Sequence, residues 1–199
     1  MPRQRGSSQQ ELRELGRRLR ERRLAAGLTQ AELAGERFSH AYVSVLESGR
    51  REPSRDALQY FAQRLGVPVE RLSGSRGAEW ALQLARDLRA DGKRSDARKL
   101  LERTLENLAA ADEVHPRVVV ALHRELGKMA LPRNRVSAAE HFRKAVERAG
   151  DDPSLAFERA DALTALAELQ VSDGAVDDAL ENFRRSAHLL LEKARHAVV

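Results

Sequence analysis

The chain has 199 residues, of which 4% are aromatic, and it contains no cysteine. The missing cysteines exclude disulfides, thiolate metal sites and a cysteine nucleophile. No apolar run approaches the ~18 residues that a membrane helix needs, so we expect a cytoplasmic protein without membrane contact. The formal net charge of +5 lies entirely in residues 1–72, because residues 73–199 hold twenty-one basic and twenty-one acidic side chains. This asymmetry is typical of a polyanion-binding segment joined to a neutral one, although an Arg-rich solvated surface gives the same balance.

Capping signals predict the start of the first two helices. Ser8 followed by Glu11 has the spacing of a capping box, and leucines at helical spacing follow it. Thr29 followed by Glu32 repeats the signal and predicts a short helix over residues 30–34. The basic residues of the first helix are expected to form mostly a solvated face; these are Arg17, Arg18, Arg20, Arg22 and Arg23.

Three more helices are predicted before residue 73. The third covers residues 39–49, and Gly49 is expected to end it in a left-handed conformation. Ser54 caps a fourth helix that Gly66 ends, and a short fifth helix closes at Leu72. Helices this close together predict a compact bundle. Its expected core consists of Leu12, Leu15, Leu19, Leu33, Val43, Leu46, Leu58, Phe61 and Leu65.

The third predicted helix has one apolar face and one small or polar face. On a helical wheel the apolar side carries Tyr42, Val43 and Leu46, and the opposite side carries His40, Ala41, Ser44 and Val45. The second face suits a helix that lies in a DNA major groove, with hydrogen bonds from His40 and Ser44 and thymine-methyl contacts from Ala41 and Val45. The alternative is the plain outer surface of a small bundle.

A resemblance to a known family supports the first interpretation. LTQAELA at residues 28–34, the helix at 39–49 and RREPS at 50–54 resemble the XRE-type, lambda-repressor-like helix-turn-helix family. The resemblance covers residues 11–72 and implies a five-helix DNA-binding domain over residues 8–72.

The resemblance also implies contacts with the DNA backbone. A Gln that begins the second helix contacts a phosphate in this family, which corresponds to Gln30, and residues after the third helix correspond to Arg50 and Arg51. Glu47 is expected to be structural, in an internal ion pair or a cap. The predicted DNA-binding residues are Thr29, Gln30, Ser39, His40, Ala41, Ser44, Val45, Arg50 and Arg51.

Residues 73–77 (SGSRG) predict a flexible linker, and a repeat with a period of 41 residues follows it. Small residues recur at Ala97, Ala138 and Ala179. A large residue follows each after four positions (Leu101, Phe142, Phe183), and a small one after seven (Thr104, Ala145, Ser186). The predicted hairpins join 78–91 with 95–111, 116–130 with 136–149, and 154–172 with 175–196.

The repeats of residues 78–199 resemble tetratricopeptide (TPR) repeats, although their period exceeds the usual ~34 residues. A plain helical bundle is the alternative. Repeats of this kind bind peptides or small ligands, or join subunits. Four basic residues on first helices indicate a groove for an acidic ligand, unless they are simply solvated: Arg86, Arg89, Arg124 and Lys128.

The sequence therefore predicts an all-α transcriptional regulator, more specifically a repressor, that binds a double-stranded DNA operator. We expect a homodimer formed through residues 78–199, with Leu190 near the interface, and a peptide, small-molecule or protein partner for the repeats. The alternative is an antitoxin-like or adaptor protein in which DNA binding is secondary. The chain contains no phosphate-binding Gly loop, and its scattered histidines have no ligand-like partners, so we expect no enzyme, cofactor or metal.

Overall fold

The computed structural model describes residues 9–109, 115–131 and 133–197, and all regular elements in these ranges are helical. The α-helices are α1 (Gln9–Ala25), α2 (Gln30–Ala34), α3 (His40–Glu47), α4 (Arg55–Leu65), α5 (Val69–Ser73), α6 (Ser75–Ala90), α7 (Arg94–Ala109), α8 (Pro116–Ala130), α9 (Arg135–Ala149), α10 (Ala156–Ser172) and α11 (Val176–Ala197). This is the predicted all-α architecture, five short helices followed by three hairpins. None of the helices in the described ranges is both long and apolar enough to cross a membrane.

The predicted caps start the short helices. The Thr29 hydroxyl accepts the Glu32 backbone N–H at 3.1 Å, and the Glu32 carboxylate accepts the Thr29 backbone N–H at 2.7 Å, which completes the capping box. Ser39 and Ser54 each accept a backbone N–H from the first turn of the helix that follows. The predicted cap Ser8 lies outside the described residues.

The core of the first five helices consists of residues that the helical spacing selects. Leu15, Leu19, Leu33, Val43, Leu46, Leu58 and Phe61 are buried, as predicted. Leu12 and Leu65 are only half-buried, and Leu72 of α5 is fully buried. The fifth helix therefore contributes a core residue of its own, Leu72.

The segment at residues 73–77 is not the flexible linker that its small side chains predicted. Helix α5 extends to Ser73 and α6 begins at Ser75, so that only Gly74 separates them. The Ser73 hydroxyl donates to the Val69 carbonyl at 2.7 Å, and a Cβ on Gly77 would lie 2.3 Å from that hydroxyl. The small residues here allow close packing between α5 and the first turn of α6.

The chain forms two compact units. The first comprises the described residues up to Gly77 together with residues 107–109, and the second comprises 78–106 and the described residues from 115 onward. The boundary between the two units falls between Gly77 and Ala78.

The 41-residue repeat determines which side chains the second helices bury. Ala97, Ala138 and Ala179 are at most 1% exposed, and Leu101 and Phe142 are fully buried. A Cβ on Gly127 would lie 2.7 Å from the Phe142 ring, so the glycine in α8 lets that ring approach the helix backbone. The two helices of the second hairpin therefore interlock through a large side chain on α9 and a small residue on α8.

Two histidines pair inside the second hairpin. Nδ1 of His123 in α8 lies 3.1 Å from Nδ1 of His141 in α9, so one ring donates a hydrogen bond to the other. Burial, followed by the nearby charges of His141, Lys144 and Arg148, lowers the pKa of His123 to about 4. Burial also lowers the pKa of His141. The pair is therefore neutral at pH 7.

We expect the second unit to lose stability as the pH falls from about 6.5 toward 4. An unfolded histidine titrates near pH ~6.5, whereas folded His123 titrates near 4, so the unfolded chain binds more protons between these values and gains stability relative to the folded one. The melting temperature at pH 5 should lie on the order of 3 °C below its value at pH 7.5. His123→Gln should flatten this dependence, whereas His188→Gln on the exposed face of α11 should not. An equal slope for both variants would contradict this assignment.

Candidate nucleic-acid interface

Helix α3 has the two faces that its sequence predicts. Val43 and Leu46 are fully buried, which fixes the rotation of the helix on the core. His40, Ala41 and Ser44 are exposed on the other side. Val45 is half-buried at the edge of this face. The helix therefore presents short polar and apolar side chains to the outside, as a helix that contacts base edges must.

The chain leaves α3 through a left-handed glycine. Gly49 has φ of +67°, its N–H donates to the Leu46 carbonyl at 2.9 Å, and the Arg50 N–H donates to the Val45 carbonyl at 3.1 Å. This pair of bonds is a Schellman motif, as predicted for the end of this helix. Arg50 and Arg51 follow it and are both exposed. The turn therefore places two cations directly beyond the exposed end of α3.

Glu47 forms an internal ion pair with Arg23 of α1. Arg23 donates from Nε to Glu47 Oε1 at 2.6 Å and from Nη2 to Oε2 at 3.0 Å, and their side chains are only 9% and 5% exposed. Arg23 Nη1 also donates to the Leu28 carbonyl at 2.7 Å. The pair therefore ties α1 both to the end of α3 and to the turn before α2. The expectation of an internal role for Glu47 is confirmed.

The expectation that Arg23 belongs to a solvated face is wrong. Arg23 follows Leu15 and Leu19 at four-residue intervals and so lies in line with the buried stripe of α1, where an arginine needs a partner. This four-residue spacing from Leu19 is the feature of the sequence that indicates a buried Arg23. The identity of the partner depends on the approach of α3, which the spacing along α1 does not contain.

Gln30 also contacts this ion pair. Its side-chain amide donates to Glu47 Oε2 at 2.8 Å, and the residue is half-buried. The sequence assigned Gln30 to a phosphate, and one of its two N–H groups is instead directed inward. A phosphate contact through the other N–H is compatible with this bond and remains a prediction. Thr29 and Ser39, from the same predicted set, are exposed and cap α2 and α3.

Aromatic and basic side chains hold the turn between α2 and α3. Phe38 stacks on Tyr42, with ring centroids 5.2 Å apart, and lies 5.3 Å from Tyr60 of α4. The Tyr60 hydroxyl donates to the Ala34 carbonyl at 3.1 Å, at the end of α2. The Arg51 guanidinium lies 5.4 Å from the Tyr42 ring centroid, within cation–π range. This contact couples a predicted phosphate-binding arginine to the orientation of α3.

Three of the four predicted groove residues have acidic partners within the second unit. Arg89 of α6 lies 2.8 Å from Glu125 of α8, while Arg124 and Lys128 of α8 both pair with Asp161 of α10. These contacts tie α8 to the helices on either side, and they compensate the charge that was assigned to an acidic ligand. Arg86 is exposed. The acidic-ligand prediction has therefore lost most of its electrostatic basis.

Comparisons with known proteins identify the first unit. Residues 14–73 match a family model described as a helix-turn-helix domain. No curated protein matches the chain.

Several solved structures are similar to the chain. Bacillus thuringiensis PlcR, crystallised with a peptide and DNA, has 15% sequence identity and a TM-score of 0.32, covering 90% of this chain and 80% of that one. Apo ComR, a competence regulator from Streptococcus vestibularis, has 15% identity and a TM-score of 0.38, covering 92% and 79%. ComR from S. thermophilus, with DNA and its signalling peptide, has 14% identity and a TM-score of 0.28, covering 90% and 80%.

The matched range contains the elements described above: α2 with its N-terminal cap, the turn between α2 and α3 with its packed aromatic side chains, and α3 with one exposed face. In helix-turn-helix proteins the second of these helices enters the major groove. Residues 14–73 of this chain therefore form a helix-turn-helix domain.

Proposed function

We propose that this protein is a sequence-specific transcriptional regulator of the XRE type and that α3 enters the major groove of its operator. The observation that carries the proposal is the exposed face of α3. His40, Ala41 and Ser44 lie on it, while Val43 and Leu46 hold the opposite face in the core. The concentration of the whole net charge of +5 in residues 1–72 supports a polyanionic partner.

The proposal divides the site into base contacts and phosphate contacts. His40 and Ser44 carry hydrogen-bonding groups on the exposed face of α3, and Ala41 and Val45 offer methyl groups for thymine. Arg50 and Arg51 lie beyond the helix, where their charges suit the sugar–phosphate backbone. Thr29, Gln30 and Ser39 lie at helix N-termini, which favour phosphates.

We further propose that the regulator is a repressor and that residues 78–199 bind a ligand, peptide or protein partner or join subunits. Occupation of an operator excludes other proteins from the same DNA, and this is the simplest consequence of the proposed binding. The second unit is electrically neutral, so it adds little nonspecific attraction for DNA.

Selection from a pool of random duplexes tests the proposed function. The full chain should enrich a defined sequence, with two related half-sites if two domains bind together. Enrichment of no sequence, despite retention on DNA, would leave only a nonspecific basic surface and overturn the proposal. Retention on heparin is uninformative, because any basic patch gives it.

Substitutions should separate the two kinds of contact. His40→Ala or Ser44→Ala should reduce discrimination between the selected site and random DNA by about 1–3 kcal/mol where a base contact is lost. Arg50→Ala should weaken binding to both duplexes about equally. Fluorescence anisotropy with the two duplexes at one salt concentration measures both effects. If Arg50→Ala changes only the discrimination, the assigned roles are reversed.

A further inference from the structure

Helix α11 has an exposed apolar stripe along its length. The stripe consists of Val176, Leu180, Phe183, Ala187, Leu190 and Ala194, which alternate four- and three-residue steps. All six are exposed, and the large ones are between 37% and 62% exposed. This spacing is typical of the seam of a two-stranded coiled coil, the line of apolar residues along which the two helices touch. The seam runs from Val176 to Ala194, so it is about 27 Å long.

Polar contacts fix the stripe on the outside. The Asn182 amide donates to Gln170 Oε1 at 2.8 Å, and the Ser186 hydroxyl donates to the Ala160 carbonyl at 2.9 Å. Both partners belong to α10. Ala179, Asn182 and Ser186 are buried along this contact, so α11 cannot rotate to bury its stripe against α10 without breaking these bonds.

The repeat shows what covers the corresponding stripe one hairpin earlier. Ala139, Phe142, Val146 and Ala149 of α9 precede Leu180, Phe183, Ala187 and Leu190 by 41 residues. The α9 residues pack against Ala162, Leu166 and Leu169 of the next helix, α10. Phe142 is fully buried by this packing, whereas its counterpart Phe183 is 37% exposed. The stripe of α11 is therefore shaped to receive another helix.

The charges of α11 indicate which helix this is and in which direction it runs. Residues 176–181 contain three acids and no base, while residues 184–195 contain four bases and one acid. A second α11 in antiparallel orientation brings each acidic end beside a basic end. A parallel copy would place like charges together. Two antiparallel copies are related by a twofold axis perpendicular to the helices, so that one surface serves both chains.

We propose that two copies of this chain dimerise by antiparallel pairing of their α11 stripes, with the twofold axis midway between Phe183 and Ala187. This register sets Val176 opposite Ala194, Leu180 opposite Leu190 and Phe183 opposite Ala187 of the second copy, so that each phenylalanine ring meets a small side chain. The inference deepens the proposed function, because two related half-sites require two linked domains. It needs no DNA for its test.

Light scattering of the full chain at tens of micromolar tests the dimer. The wild type should have the mass of two chains. Leu190→Glu should raise the dissociation constant at least about 100-fold, since each copy loses a central apolar contact and gains a charge in the seam. Val136→Glu is the matched control, because Val136 is 80% exposed on α9 and lies outside the stripe, and this variant should remain dimeric. A monomeric wild type overturns the proposal.

Cysteine cross-linking tests the orientation independently of any loss of folding, because the chain has no cysteine of its own. Under mild oxidation Phe183→Cys should form a disulfide with Ala187→Cys when the two variants are mixed. Leu180→Cys should likewise cross-link to Leu190→Cys, but not to itself. Self-linking of Leu180→Cys without the mixed product would indicate parallel helices and overturn the arrangement. A dimer that selects no DNA sequence would refute only the proposed function, and a monomer that selects one would refute only this inference.

Discussion

Arg23→Ala is expected to lower the free energy of unfolding of the helix-turn-helix domain by about 3–5 kcal/mol. Removing the arginine leaves the Glu47 carboxylate 5% exposed and without its main partner. It also removes the bond to the Leu28 carbonyl, which holds the turn before α2. Urea titration followed by circular dichroism measures the loss.

Arg17→Ala is the matched control on the same helix. Arg17 is about half exposed and pairs with Glu14 and Glu21 on the surface of α1, so its loss should change the free energy of unfolding by no more than about 1 kcal/mol. The double variant Arg23→Met with Glu47→Leu should be more stable than Arg23→Ala, because no uncompensated charge remains. Equal losses for Arg23→Ala and Arg17→Ala would mean that water reaches the Glu47 carboxylate.

Gly49→Ala is expected to have a comparably large effect. Its φ of +67° costs an alanine about 1–2 kcal/mol. The new Cβ would also lie 2.7 Å from Cα of Arg13 and 2.8 Å from its backbone N, which adds on the order of 1–3 kcal/mol of overpacking. Helix α1 would have to move away from the end of α3, and Arg50 and Arg51 would shift with it. Binding to the selected duplex should therefore weaken along with stability.

Gly66→Ala separates the cost of the positive φ from the cost of the steric contact that the added Cβ makes. Gly66 ends α4 with φ of +65°, but no atom lies within 4 Å of the position that an added Cβ would take. This variant should show only the conformational cost of about 1–2 kcal/mol. Unfolding of both variants in the same urea series gives the difference directly. Equal losses would show that α1 yields to the added methyl group without cost.

Local chemistry made the first unit predictable. The capping pairs at Thr29 and Ser54 and the left-handed glycines at 49 and 66 act within one turn of the chain, so their effect can be inferred without knowing the rest of the fold. The same holds for the two faces of α3, since Val43 and Leu46 must be buried together. The segment at 73–77 was misjudged because small residues serve flexible linkers and close helix contacts equally well.

The sequence by itself determined the helices of the first unit up to α5, the 41-residue repeat and the exposed face of α3, because each depends on the spacing of neighbouring residues. The tertiary structure decided which charges are compensated. Arg17 and Arg23 lie on one helix, yet only Arg23 meets α3 and is buried with Glu47. Arg124 likewise meets Asp161 only because α8 packs beside α10. Phe142 and Phe183 occupy the same position of the repeat, but Phe142 packs against Leu166 and Leu169 of α10 and is buried, whereas Phe183 is exposed. Such outcomes depend on contacts between distant segments, which residue spacing does not encode.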